Sequence, residues 1–115
     1  MTEQFDIKDY QVTGAEEKTL TVDGKELKLT IRTVPWPLMN DFVADAFRVT
    51  VEDQAGHFDN GLYQRECLKY MLVEAPWGRT TDTFLLSLKG GTDLVLQLAA
   101  MCPDPFAVAS NSNLK

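Results

Sequence analysis

Between Lys18 and Thr33 hydrophobic and polar residues alternate on either side of Asp23-Gly24, the pattern of a β-hairpin with one buried face. A two-residue type I′ turn needs positive φ at both central positions, and Asp-Gly tolerates that. A turn there sets Val22 opposite Lys25, Leu20 opposite Leu27 and Lys18 opposite Leu29. Leu20, Val22, Leu27, Leu29 and Ile31 then share the core side, and Thr19, Thr21, Glu26, Lys28, Thr30 and Arg32 the wet side. An isolated hairpin is marginal in water, so this one requires a partner. Residues 7–13, with Tyr10 and Val12 on one parity and Gly14 as a break, are a candidate third strand; the alternative is a mobile arm.

Everything after Pro35 has helical or loop character. Val34-Pro35-Trp36-Pro37 ends the sheet, because proline has no N–H for a ladder, and Pro37 suits the first turn of a helix. Leu38, Met39, Phe42, Val43, Ala46 and Phe47 recur on one face of that helix. Thr50 to Gly61 is rich in turn residues and reads as a surface loop. A second helix spans about Leu62 to Glu74. Its stripe of Tyr63, Cys67, Tyr70 and Met71 is widened by Leu62, Leu68, Leu72 and Val73, which predicts burial on more than one side.

Ala75-Pro76-Trp77-Gly78 stops this helix, and Thr80-Thr81-Asp82 offers caps for a short third one carrying Phe84, Leu85, Leu86 and Leu88 up to Gly90-Gly91. Thr92 caps a fourth, lined by Leu94, Val95, Leu98, Ala99 and Cys102 and ended by Pro103. The expected fold class is α+β: an N-terminal β-hairpin, with residues 7–13 as an optional third strand, packed on a small bundle of about four helices. The expected organisation is an acidic arm or weak strand over 1–17, a single domain over 18–106 and a flexible tail over 107–115.

Composition narrows the function classes. The 115 residues suit one domain, and 44% hydrophobic with 24% charged residues is far from the disordered regime. No apolar run approaches the roughly 20 residues of a membrane span. The opening Met-Thr-Glu-Gln-Phe-Asp is acidic where a secretion signal is basic, so a cytosolic location is expected. The net charge of −6 is uneven: residues 1–17 carry five acids against Lys8, residues 18–40 are net positive, and residues 41–59 carry five acids against Arg48. That balance repels phosphate backbones and offers no Lys/Arg stripe, so no nucleic-acid partner is expected. The acidic arm could meet a basic protein surface or simply keep the chain soluble.

The chemistry-bearing residues are sparse. Cys67 and Cys102, 35 positions apart, are expected as buried reduced thiols, and with the lone His57 they are too few for a metal site; no cofactor is expected. His57 beside Asp59 has the makings of a general base, yet no nucleophile accompanies it, and it reads as an exposed loop histidine. Glu52, Asp53, Asp59 and Asn60 lack the alternating spacing of a calcium loop. Gly90-Gly91-Thr92 lacks the lysine of a phosphate loop and reads as a C-cap followed by an N-cap. Four aromatics remain as candidate protein-interaction residues: Trp36 and Trp77, each between turn residues and able either to plug the core or to anchor a partner, and Phe58 and Phe106 in loop-like settings. No catalytic residue is assigned.

The order of elements, with Val22-Asp23-Gly24-Lys25 through Thr33-Val34-Pro35, Tyr63-Gln64-Arg65-Glu66-Cys67-Leu68 and Ala75-Pro76-Trp77-Gly78, resembles the tail assembly chaperones of long-tailed bacteriophages and prophages over about Thr19 to Phe106. The resemblance implies a non-enzymatic protein of the host cytoplasm that coats the helical tape measure protein, keeps it soluble, helps recruit tail tube subunits, and is absent from the mature virion. Its implied partners are therefore the tape measure and tail tube proteins, with further copies of itself as partners through the hairpin edges. Alternatives are a structural tail component, such as a completion or connector protein retained in the virion, and a small ligand-binding or hydrolytic domain built on His57.

Overall fold

A computed structural model of the chain describes residues 4–48 and 56–106. Strands β1 (Glu16–Val22) and β2 (Lys25–Ile31) form the expected hairpin, antiparallel, with Val22 opposite Lys25, Leu20 opposite Leu27 and Lys18 opposite Leu29. Asp23 and Gly24 both take positive φ, 51° and 79°, as the turn demands. Leu20, Val22 and Leu29 are buried, Leu27 and Ile31 half-buried, and Thr19, Thr21, Glu26 and Lys28 exposed, so the predicted two-faced register is the observed one. β1 begins at Glu16, two residues inside the expected arm.

The helices follow as α1 (Trp36–Ala46), α2 (Asn60–Met71), α3 (Asp82–Leu86) and α4 (Asp93–Met101). Two-residue strands β3 (Phe47–Arg48) and β4 (His57–Phe58) pair between α1 and α2. Local caps set the starts: Asp59 accepts from the Leu62 amide, Thr81 from Phe84, and Thr92 from Val95, each relieving an orphan donor. Two hydrophobic clusters result. Leu20, Val22, Leu29, Leu68, Leu72 and Leu98 join the hairpin to α2 and α4, while Val34, Phe42, Ala46, Tyr63, Cys67 and Met71 join α1 to α2. Helix α2 supplies residues to both, as its wide apolar stripe predicts.

Several expectations are corrected. Residues 7–13 are not a strand: Ile7–Tyr10 form a 3₁₀ turn, held locally because the Asp6 side chain accepts from the Lys8 amide, and the whole arm from Gln4 to Ala15 is exposed. The third strand of the sheet lies elsewhere. Helix α2 stops at Met71, and Leu72–Glu74 become β5, giving the order β1-β2-β5. The helix ends there because Arg32 of the hairpin takes two of its terminal carbonyls: its amide donates to the Met71 carbonyl at 2.9 Å and its Nε to the Tyr70 carbonyl at 2.7 Å. The apolar run Leu72-Val73 then suits a strand, with Leu72 buried against the hairpin.

Smaller corrections have the same tertiary origin. Phe47 leaves the α1 stripe to pair with Phe58 across β3 and β4. Of the loop expected over Thr50 to Gly61, residues 50–55 lie outside the described residues, whereas His57–Phe58 are strand, Asp59 caps α2 and Asn60 begins it. The third helix ends at Leu86 with Ser87 as its cap, so Gly90-Gly91 is a turn before Thr92 rather than a C-cap. The expected tail, 107–115, lies outside the described residues.

Candidate interaction surfaces

The β1 edge of the sheet is open, and its geometry follows from the hairpin register. A two-residue turn closes on a hydrogen-bonded pair, here Val22 with Lys25; alternation then turns the Thr21, Thr19 and Glu17 backbone groups outward, away from β2. One of them is already covered. Gln97 of α4 donates from Nε2 to the outward Thr21 carbonyl at 2.7 Å and to Asp93 Oδ2 at 3.0 Å, while that same Asp93 oxygen accepts from the Asp23 amide at 3.2 Å. Helix α4 therefore seals the turn end of the edge, and the outward groups of Glu17 and Thr19 pair with no strand among the described residues. Gln97 and Asp93 escaped sequence reasoning. Polar residues on an amphipathic helix carry no mark of a distant strand edge.

At the far side of the sheet, β5 borders an open groove of about 830 Å³ lined by Arg32, Lys69, Val73, Gly78, Arg79 and Asp82, among others. Arg32 lies over the Tyr70 ring, 3.8 Å from its centroid, fixed there by its bond to the Tyr70 carbonyl. Lys69 Nζ meets Asp82 at 2.9 Å and Glu66 at 3.5 Å, and the Asp82 hydrogen bond holds its ammonium above the usual lysine range. Arg32 and Lys69 are thus tied to structural partners, and Arg79 has no salt bridge among the described residues.

A smaller cleft of about 190 Å³ runs between α2, α3 and α4, lined by Leu68, Leu85, Leu88, Val95 and Leu98, with Arg65 on its rim. One large side chain on its wall stands exposed, Leu86 at 67%. This is an apolar seam between helices. Such seams receive amphipathic helices.

The four aromatics named from sequence separate into different environments. Phe58 and Phe106 come together, ring centroids 5.2 Å apart, and Phe58 also meets Phe47 at 5.6 Å and Tyr63 at 5.7 Å. Phe106 and Phe47 are about half exposed, so the cluster presents an aromatic face beyond the α1–α2 core. Trp36, the first residue of α1, is 78% exposed and does not plug the core. Trp77 does: it is half-buried against the hairpin cluster, stacks on Phe84 at 4.9 Å, and donates from Nε1 to the buried Thr80 hydroxyl at 3.0 Å. Sequence reasoning grouped four residues that the fold divides into a patch, a lone exposed tryptophan and a core plug.

His57 stands on β4 opposite Arg48 and is exposed. Its expected partner is committed elsewhere: Asp59 Oδ1 caps α2 and Oδ2 lies 3.7 Å from Arg48 Nε. Glu52 and Asp53 lie outside the described residues. The described residues contain no cluster of three metal-ligating side chains, and no described helix is long and apolar enough to cross a membrane. Compared with protein-family models, with curated proteins and with solved structures, the chain matches none.

Proposed function

We propose that this chain is a non-enzymatic tail assembly chaperone of a long-tailed phage or prophage, which binds the tape measure protein in the host cytoplasm, keeps it soluble and helps recruit tail tube subunits. The observation that carries this reading is the pairing of two unsatisfied surfaces on one small domain: the outward backbone groups of Glu17 and Thr19 on β1, and the apolar seam of α2, α3 and α4 with Leu86 exposed on its wall. A helical client exposes a long apolar stripe that aggregates alone, and a seam between helices shelters part of it. An open strand edge lets copies of the chaperone meet along that client. The protein acts before particles are complete and does not remain in them.

The test is co-purification with fragments of the tape measure protein encoded beside this chain, together with light scattering. Retention of an amphipathic fragment that is insoluble alone, and a mass above that of one copy, is the expected result. A strict monomer that ignores every fragment refutes the proposal, and so does its presence at structural stoichiometry in purified virions.

A further inference from the structure

Cys67 and Cys102 lie 35 positions apart in the chain, yet the fold brings them to one place. Cys67 is in the third turn of α2 with no exposed surface; Cys102 is the residue that ends α4, half-buried against the same cluster. Cys102 Sγ is 3.7 Å from the Gln64 carbonyl and 3.7 Å from the Leu98 carbonyl. A helix carbonyl points toward the residues three and four places on, so contact with the Gln64 oxygen sets Cys102 at the level of Cys67 and Leu68. Cys102 packs against the cluster that contains Cys67, so the two thiols share one site. Beside them the Tyr63 hydroxyl donates to the Pro103 carbonyl at 2.8 Å, and an open cleft of about 240 Å³ lined by Tyr63, Gln64, Cys102 and Pro103 leads to the Cys102 end of the pair.

We propose that Cys67 and Cys102 are a redox-modification site that takes a small two-electron oxidant of the peroxide class and closes to a disulfide between α2 and the end of α4. Interaction with Cys102 holds the Cys67 thiol below its usual range, while interaction with Cys67 and burial push the Cys102 thiol up. The thiolate sulfur attacks the peroxide: an S–O bond forms, the O–O bond breaks, and the hydroxide released takes a proton to leave as water. The second sulfur then loses its proton and displaces the sulfenic oxygen, forming S–S and breaking S–O as a second water departs. Each sulfur loses one electron and the peroxide gains two.

The bond would close a loop containing α3 and α4, and would fasten the chain at Pro103 to α2. Three residues farther on stands Phe106, over Phe58. Oxidation therefore fixes the segment that carries the exposed half of the aromatic patch, and reduction leaves it held by non-covalent contacts, the Tyr63 hydrogen bond and ring packing among them.

The experiment titrates the reduced full chain with hydrogen peroxide, blocks remaining thiols with N-ethylmaleimide, and maps peptides without reduction. The expected product is a monomer lighter by two hydrogens, with neither thiol alkylated, the Cys67 peptide joined to the Cys102 peptide, and a urea midpoint shifted upward and restored by reductant. Cys102→Ser, at a half-buried position, should keep the native circular dichroism and lose the midpoint shift. Oxygen added to either cysteine without the linked peptide, a Cys102 bond between two chains, thiols that remain free for alkylation, or a midpoint shift that survives in Cys102→Ser would each overturn the proposal.

Discussion

Replacing Thr19 by proline separates the two backbone edges of β1. The register turns the Thr19 amide outward, so proline there removes no ladder hydrogen bond, and the residue before it, Lys18, already has the extended backbone that a following proline imposes. The cost to folding is limited to strand preference, about 1 kcal/mol. Leu20, one position on, differs in both respects. Its amide belongs to the hydrogen-bonded pair with Leu27 and its side chain is 8% exposed in the hairpin core. Leu20→Pro loses a ladder bond worth about 1 kcal/mol net and leucine burial worth about 2 kcal/mol, roughly 3 kcal/mol together. With a urea slope of about 1–3 kcal/mol per molar for a small domain, that lowers the midpoint by about 1–3 M.

The assay is urea unfolding followed by circular dichroism, with light scattering on the same samples. Thr19→Pro should unfold within about 1 kcal/mol of the parent yet lose self-association, because the outward donor is gone and the ring obstructs a neighbouring strand. Equal destabilisation by the two substitutions refutes the register. Undiminished self-association of folded Thr19→Pro refutes the edge as the meeting surface.

Other consequences are read with the same instruments. Gln97→Ala removes the hydrogen bonds to the Thr21 carbonyl and Asp93; a loss of about 1 kcal/mol and stronger self-association are expected, since more of the β1 edge is uncovered. Burial holds the Tyr63 phenol above its ordinary value of 10.0, and Asp82 holds Lys69 above 10.5. Both groups favour folding fully below those ordinary values and lose that contribution as pH climbs beyond them toward the raised folded-state values, so unfolding free energy should fall above about pH 10 and fall less steeply in Tyr63→Phe and Lys69→Met. Trp36→Ala, at an exposed position, should change stability by less than about 0.5 kcal/mol. If Trp36 anchors the client, the same substitution weakens capture of the tape measure fragment by about tenfold or more, measured by titration.

What the sequence makes legible is whatever repeats locally. The hairpin register was readable because Asp23-Gly24 admits one turn and the flanking alternation one face; α4 was readable because Thr92 and Pro103 bracket an apolar stripe. Residues 72–74 were not, since Leu72-Val73 continues a helix as plausibly as it starts a strand, and the deciding groups are the Arg32 amide and guanidinium 38 or more positions away in the chain. The interaction surfaces follow the same division. Phe58 and Phe106 stood out as apolar residues in polar settings, but their contact, the Cys67–Cys102 contact and the Gln97 seal on β1 all depend on how α2 and α4 dock.

The partial seal on β1 also constrains how copies can meet. With Thr21 covered by Gln97, the outward groups left to a second chain are those of Glu17 and Thr19, on a strand that follows an arm of three acids and one lysine over residues 1–15. Parallel pairing of two β1 strands would lay two arms of net −2 side by side, together with Glu16 and Glu17 of each strand. Antiparallel pairing sends them to opposite ends, and their repulsion falls away beyond a screening length of about 8 Å at physiological salt. Antiparallel pairing of identical edges is also two-fold symmetric, so it closes at two copies and cannot extend into a filament. The chain without client should therefore stop at a dimer whose formation strengthens with added salt. Larger assemblies should appear only with a tape measure fragment, which supplies the repeated sites. Growth beyond two copies in its absence would show that a surface other than β1 joins them.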